Sequence, residues 1–352
     1  MSTNASAALR WGFIGCGKIS NDFVNALKCV PNAVLQACAA RSLSSAQDFA
    51  SQHGFVKAYD SYDALCQDPA VDVVYIGTLH TCHYAHSLLA LNHNKHVLVE
   101  KPMTINAKQA EHVIKVAKDK QRFFMEGMWT RFFPATRHVR QLLKDKAIGD
   151  VHHVNADIGF YFPPDLDRIW DRTLGGGGLL DIGIYPLAFV TMVFGTQQPD
   201  RVSAVGKLSE GGVDIYGSLT LEYSNNRFAT VQYTCLAEFG EAVTIIGTKG
   251  KIHIHTPAHT PTKVTTIRIG DDGQRHEQVS SFPLPEPAPS ATNFNFGGSA
   301  GFLHEAEAVT ECINAKQLES SEYPQAESFT LTRIMDAVRQ QLGVVYPADA
   351  SS

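Results

Sequence analysis

In the apolar stretch GGGGLLDIGIYP, residues 175–186, Asp181 and Tyr185 stand four residues apart, directly after four glycines. Residues spaced i and i+4 share one helix face, so the carboxylate and the phenol point the same way. A phenol and a carboxylate on one face are groups suited to proton transfer. The alternative is a buried Tyr with a hydrogen-bonded Asp on a helix that packs against a sheet. Pro186 follows Tyr185 and has no N–H to donate, which predicts a local kink.

Lys101 is the next candidate. It follows the apolar run VLVE in VLVEKPM, residues 97–103, at the carboxyl edge of a buried strand, where ligands bind in open α/β sheets. Pro102 keeps Glu100–Lys101 extended or bent rather than helical. A solvated loop lysine is the competing reading.

GFIGCGKIS, residues 12–20, places Gly15, Cys16, Gly17, Lys18 and Ile19 where a first strand meets a first helix. Glycines there let backbone amides approach a pyrophosphate at the helix N-terminus. Ser20 takes the third glycine position of the usual fingerprint and is small enough for close helix–strand packing. A plain glycine turn in a flavodoxin-like fold is the alternative. The second strand ends in AARSLSS without an acid to hold a ribose 2′-OH. Arg41 stands at its tip with Ser42 beside it. A guanidinium suits a 2′-phosphate, so NADP is expected over NAD.

TLHTCHYAH, residues 78–86, brings Thr78, His80, Cys82, His83 and His86 to a loop and first helical turn. A zinc site needs a second ligand cluster, and none follows, so no metal is expected. Thr78, His80 and His83 are expected to line a cofactor trough instead.

These residues need a frame. Up to about residue 130, short apolar runs alternate with amphipathic helical stretches, the pattern of a doubly wound parallel Rossmann sheet. From residue 131 to 352 period-2 strands such as RVSAVGKL, IYGSLTLEYS and FATVQYTCLAEF dominate. They predict an α+β domain with a large, mostly antiparallel open sheet. In IYGSLTLEYS, Ile215, Gly217, Leu219 and Leu221 or their neighbours would form an exposed apolar face. SFPLPEPAPSATNFNFGG, residues 281–298, reads as one long ordered loop or a partly polyproline segment.

Composition narrows the partners. The chain has 352 residues, 44% apolar and 18% charged, with a net charge of −5 and no basic run. That argues against nucleic acid and anionic membranes. The apolar runs fall short of the ~20 residues that span a bilayer. Seven cysteines without a CxxC motif fit free thiols and a cytoplasmic location.

Together, GFIGCGKIS, YIGTLHTCH, the Glu100–Lys101–Pro102 triplet and GGGGLLDIGIY resemble the glucose-fructose oxidoreductase/inositol dehydrogenase/MocA family. MEGMWTRFFP, LLDIGIYPL, the FPLPEP…FNF loop, LHEAEAV…CI and GVVYPAD are similar to its dimeric dihydrodiol dehydrogenase and NADP-dependent D-xylose 1-dehydrogenase branch. The resemblance spans residues 10–348. It implies a catalytic Lys101 and Tyr185 assisted by Asp181, with Glu100 beside the cofactor and Trp129 and Arg131 closing over it. It also implies a homodimer formed through the C-terminal sheet. Inositol dehydrogenases carry a His at the place of Tyr185, and the branch often has a second Arg where this chain has Ser45. Beside the Lys101 ammonium, the Tyr185 phenolate would be stabilised into a base for a sugar or diol hydroxyl. The glycines at 175–178 would let the loop pass close to the nicotinamide. The rival expectations are an NADPH-dependent reductase of an anhydrofructose-type dicarbonyl and a non-catalytic NADP(H)-sensing regulator.

Overall fold

The computed structural model describes residues 8–350, and the chain divides into two compact units. The first unit takes the chain up to Met103, then Gln109–Trp129 and Leu284–Gln325. The second takes Thr104–Lys108, Thr130–Pro283 and the chain from Ala326 onward. A single cut between 130 and 131 therefore does not describe the division, because residues 284–325 return to the first unit.

In the first unit, β1 (Leu9–Ile14), β2 (Ala33–Ala39), β3 (Lys57–Tyr59), β4 (Val73–Ile76), β5 (His96–Glu100) and β6 (Phe124–Gly127) form one sheet. Its order is β3-β2-β1-β4-β5-β6 and every pairing is parallel. Helices α1 (Lys18–Leu27), α2 (Leu43–His53), α3 (Tyr62–Gln67), α4 (His80–Asn92) and α5 (Ala107–Asp119) connect the strands. The order reverses between β1 and β4, which places the switch point of this doubly wound sheet at the glycine turn after β1. Val73–Ile76 are all buried, as a strand covered on both faces requires. β3 and α3 escape a periodicity reading because three and six residues are too few to show one.

In the second unit, α6 (Pro134–Lys144) precedes β7 (Val151–Gly159), α7 (Asp167–Trp170) and α8 (Ile184–Phe194). Strands β8 (Arg201–Leu208), β9 (Asp214–Tyr223), β10 (Arg227–Thr234), β11 (Val243–Gly247), β12 (Gly250–Ile254), β13 (Lys263–Ile269) and β14 (Arg275–Ser281) follow. The sheet runs β14-β13-β12-β11-β7-β10-β9-β8. All neighbours are antiparallel except the central pair β7 and β10. One face buries Val154, Ala156, Ile158, Leu219, Leu221, Ala229 and Val231, and α8 packs on β7 and β10. Gly217, Leu219 and Leu221 thus face the core, and the exposed alternates of β9 are Tyr216 and Ser218. On β9 the exposed positions are polar and aromatic rather than aliphatic, while β8 exposes Val205 beside Ser218. β14 was invisible to pattern because nearly all of RHEQVSS is exposed. An edge strand of charged and polar residues blunts pairing with other chains.

One sequence expectation is corrected by the helices. The helical stretch Arg172–Phe194 is, by length and composition, apolar enough to cross a membrane. Within that stretch an 18-residue window is 89% buried inside the protein, as in the core helix of a globular domain. Its apolar character runs all round because the protein surrounds it.

The returning segment completes the first unit with α9 (Phe302–Asn314), while α10 (Gln325–Leu342) leads back into the second. Asp22 of α1 accepts hydrogen bonds from the amides of Asn295 (2.8 Å) and Phe296 (2.9 Å) and from Ser299 Oγ (2.7 Å). The Pro-rich stretch is therefore an ordered loop pinned to α1. Phe302 stacks on Trp129 at 4.1 Å and meets Phe23 edge-on at 5.6 Å. One turn later Glu305 is fully buried, and neither carboxyl oxygen has a hydrogen-bond partner. Burial first, then the nearby Glu100 and Glu126 carboxyls, push its pKa well above the usual range. The folded chain keeps this proton, whereas the unfolded chain releases it above about pH 4.3. Rising pH therefore favours unfolding through this group. Glu305→Gln should raise the melting temperature more at about pH 8 than at about pH 4, where both states hold the proton. Thermal scans of the two proteins across that range test this, and equal shifts throughout would refute it.

Candidate active site

The glycine turn of the first unit is shaped for close approach. Gly15 has φ +95°, and a Cβ there would lie 2.9 Å from the Gly77 carbonyl oxygen. Gly17 is extended, and a Cβ on it would meet nothing within 4 Å. The first turn of α1, starting at Lys18 and Ile19, has no side-chain cap and no acid, so its amides remain available to an anion. This cradle fits a dinucleotide pyrophosphate. Ser20 is fully buried, and its Oγ would lie 2.3 Å from a Cβ on Gly77, the close packing expected of a small third residue. The Cys16 thiol turns back to the Ala39 carbonyl at 3.5 Å, leaving its backbone to face the turn.

At the end of β2, Arg41 is exposed. Ser42 caps α2, accepting from the Ser45 amide at 3.3 Å and bonding Ser45 Oγ at 2.8 Å. Its hydroxyl is thus engaged by its own helix, contrary to the expectation that it serves a phosphate. After β4, Thr78 Oγ1 lies 3.1 Å from His86 Nδ1, and half-buried His80 opens α4.

His83 corrects another expectation. It is fully buried, with Nδ1 2.7 Å from the Pro102 carbonyl and Nε2 3.0 Å from the Thr78 carbonyl. Burial pushes its pKa down to about 4 against the pull of those carbonyls. The ring ties the loop after β4 to the loop carrying Lys101 and does not line a trough. Among the described residues, no group of His, Cys, Asp and Glu could hold a metal ion.

Lys101 itself is half-buried. Glu100 beside it is buried and accepts from Tyr75 Oη at 2.8 Å. Burial raises its pKa to about 7. Tyr75 stacks on Phe23 at 4.2 Å, so the Glu100 carboxyl is backed by the same aromatic cluster that holds Trp129. The Trp129 ring is only 5% exposed and already covered by Phe302. Arg131, in the second unit, is buried in an ion pair with Glu327, which also accepts from Thr191 Oγ1 at 2.9 Å. Both residues are held by protein partners in this structure.

In the second unit the four glycines are buried, and protein atoms explain them. A Cβ on Gly176 would lie 2.4 Å from the Ile169 carbonyl oxygen. Gly177 has φ +122° and abuts Asp214 Oδ1 at 2.4 Å, while Gly178 abuts Cys235 and the Tyr233 ring at 2.9 Å. Asp214, fully buried, accepts from the Leu179 amide at 2.6 Å, and Tyr346 Oη donates to the Gly176 carbonyl at 2.6 Å. The run is glycine because this packing leaves no room, rather than to admit a nicotinamide.

Leu179–Gly183 then form a π-helical turn that passes into α8. The kink expected at Pro186 is absent, because Pro186 falls in the first turn of α8, where a missing N–H is tolerated. Asp181 receives a hydrogen bond from Arg168 Nη1 at 2.8 Å, so its carboxylate has a cationic partner beyond the predicted set. Tyr185 is 9% exposed, and its ring lies 5.4 Å from that of His259 at 44°. His259 is held through Nδ1 by the Glu241 carboxylate. Neither was anticipated; the only sequence signal was a histidine bracketed by Pro257 and Pro261.

Residues 9–128 match the oxidoreductase family with an NAD-binding Rossmann fold, GFO_IDH_MocA, and residues 136–253 match the GFO/IDH/MocA C-terminal domain. Trans-1,2-dihydrobenzene-1,2-diol dehydrogenase of Danio rerio is 41% identical over 345 residues, covering 97% of this chain and 99% of that one. The chain belongs to the GFO/IDH/MocA oxidoreductase family. The Homo sapiens protein of the same name is 39% identical over 344 residues, covering 97% and 99%. Among solved members of this fold, levoglucosan dehydrogenase in complex with NADH and L-sorbose superposes with TM-score 0.83 at 19% identity, covering 97% and 100%. KijD10, a 3-ketoreductase from Actinomadura kijaniata in complex with NADP and TDP-benzene, gives 0.78 at 24%, covering 95% and 97%. The family assignment agrees with the nucleotide-binding shape of the glycine turn.

The two kinds of glycine should separate experimentally. Gly177→Ala should lower the melting temperature sharply, because a Cβ meets Asp214 in a left-handed backbone. Gly17→Ala should leave the melting temperature near wild type while weakening nucleotide binding. Calorimetry of unfolding and titration with nucleotide check both, and the reverse pattern would contradict the packing described.

Proposed function

We propose that this GFO/IDH/MocA oxidoreductase is an NADP-dependent dehydrogenase acting on a secondary hydroxyl of a trans-dihydrodiol or a sugar such as D-xylose. The observation that carries the reading is Tyr185, a shielded phenol at the start of α8, in a chain 41% identical along its length to a trans-dihydrodiol dehydrogenase. The bound nicotinamide supplies a hydride acceptor. Tyr185 takes the substrate's hydroxyl proton, and the Lys101 ammonium stabilises its phenolate and orients that hydroxyl. Asp181, paired with Arg168, fixes the local charge on the turn that carries Tyr185. Arg41 recognises the 2′-phosphate. The outer face of the second sheet, which exposes Val205, Tyr216 and Phe239 around a 280 Å³ hollow lined by Tyr216, Ser218, Gln232 and Phe239, supports a homodimer through that sheet.

The cofactor reading predicts that Arg41→Ala raises the KM for NADP far more than that for NAD. Initial-rate kinetics with both nucleotides test it, and parallel increases would remove the basis for preferring NADP.

For the chemistry, Tyr185→Phe should keep nucleotide binding and lose about 10²–10⁴-fold in turnover, the usual range for a general acid–base. Lys101→Met should cost a comparable factor, and the double variant little more, if the two act as a unit. Rates of wild-type oxidation should climb with pH through an apparent pKa below the ~10 of free tyrosine. Assays on a panel of diols and sugars supply the substrate for these measurements. Near-full activity in Tyr185→Phe would place the base elsewhere.

A further inference from the structure

Tyr185 shares a small cavity of about 10 Å³ with Asp157, Glu241 and His259, walled by Ile158, Pro186, Phe189, Val243 and Ala258. That is the space of roughly one water, and the polar groups needed to hold one line it. His259 is unusually well fixed there. Glu241 engages its Nδ1, its carbonyl accepts from Thr130 Oγ1 at 2.5 Å, and its ring meets Phe160 edge-on at 5.9 Å. Glu241 is anchored in turn, its amide donating to Asp157 Oδ1 at 2.5 Å from a backbone at φ +48°. A non-glycine residue in that conformation is uncommon and persists where its surroundings hold it. The result is a carboxylate–imidazole–phenol series: Glu241, His259, Tyr185. A carboxylate on Nδ1 sets the tautomer and leaves Nε2 as the nitrogen that can exchange a proton.

We propose that His259, positioned by Glu241, is the proton relay of Tyr185. This rests on the reading of Tyr185 as the acid–base. The phenol passes its proton across the cavity to Nε2 of His259, and the phenolate left behind takes the substrate's hydroxyl proton. The imidazolium formed faces the Glu241 carboxylate, then loses one proton to solvent, and no electrons move in the relay. The geometry allows that exit, since the His259 side chain is 18% exposed while that of Glu241 is 7%. The titratable groups lining the cavity with His259 are Tyr185, Glu241 and Asp157.

The test compares wild type, His259→Gln, His259→Ala, Glu241→Gln and Tyr185→Phe as full-length proteins with NADP and the best diol or sugar. His259→Gln should lose about tenfold or more in kcat, part of the general acid–base range, with the KM for NADP unchanged. Added imidazole should restore turnover in His259→Ala but not in Tyr185→Phe. A second readout needs no turnover: ultraviolet difference titration of the nucleotide-free protein, with Tyr185→Phe as the blank. It should show the Tyr185 phenol ionising at lower pH in His259→Gln, because the imidazole acceptor that holds the neutral phenol is gone. Glu241→Gln should shift both readouts in the same direction, which covers the case of a His259 variant that fails to fold. A wild-type kcat and an unshifted phenol in the His259 and Glu241 variants, with Tyr185→Phe inactive, would overturn the relay and leave the acid–base reading standing. A fully active Tyr185→Phe would overturn both.

Discussion

The Leu179 amide and the Asp214 carboxyl meet at 2.6 Å in the interior of the second unit, and the segment bearing its chemistry is arranged around that contact. A carboxyl taken wholly out of water must be compensated by donors, and a hydrogen bond to a charged group contributes about 1.5–3 kcal/mol. The amides at a helix start are donors with no partner of their own. Placing Asp214 against one of them gives that amide its acceptor, but it brings a side chain into the space that a Cβ on Gly177 would fill. That position can then carry no Cβ, while the Ile169 carbonyl excludes one at Gly176 and the Cys235 and Tyr233 side chains exclude one at Gly178. Gly177 follows from the buried acid, its neighbours follow from the packing around it, and the π-turn that carries Asp181 starts directly after them.

The first unit uses a different device to the same end. Lys101 sits in a loop, the kind of element that wanders unless something holds it. Here the buried His83 ring is wedged between that loop and its neighbour, a ring nitrogen beside a carbonyl of each and its one N–H donating to one of them, and Glu100 is backed by Tyr75, Phe23, Phe302 and Trp129 in ring-to-ring contact. Rigid apolar packing behind and polar ties in front are what a reactive side chain on a loop requires.

How much of this could be read from the chain depends on what each signal physically encodes. Alternating apolar runs and a glycine turn encode a parallel sheet with a phosphate cradle, since few other folds satisfy both. Period-2 strands likewise encode an open sheet, though they say nothing of which face is inward, and the aliphatic face of β9 is the buried one. The glycine run is ambiguous in sequence because an absent side chain signals close approach without saying to what: ligand and protein atoms exclude a Cβ alike. Ser42, His83, Trp129 and Arg131 have chemistry that suits a ligand, and the fold also engages them with protein partners whose positions no local pattern reveals. His259 and Glu241 escape a sequence reading for the converse reason. They come from the two sides of the β11–β12 hairpin, and only the folded chain brings them to Tyr185.

The return of residues 284–325 to the first unit bears on how the protein is made. A ribosome releases the chain from its N-terminus, and domains generally fold as they emerge, at about 5–20 residues per second. The nascent nucleotide-binding sheet has all six of its strands once Gly127 has appeared. It still lacks the loop that satisfies Asp22 and the Phe302 ring that covers Trp129 and Phe23, for those arrive only after the entire second sheet. An apolar surface on the early sheet therefore stands open to water, and to chaperones, while residues 128–294 are made, and it closes only when the loop and α9 emerge.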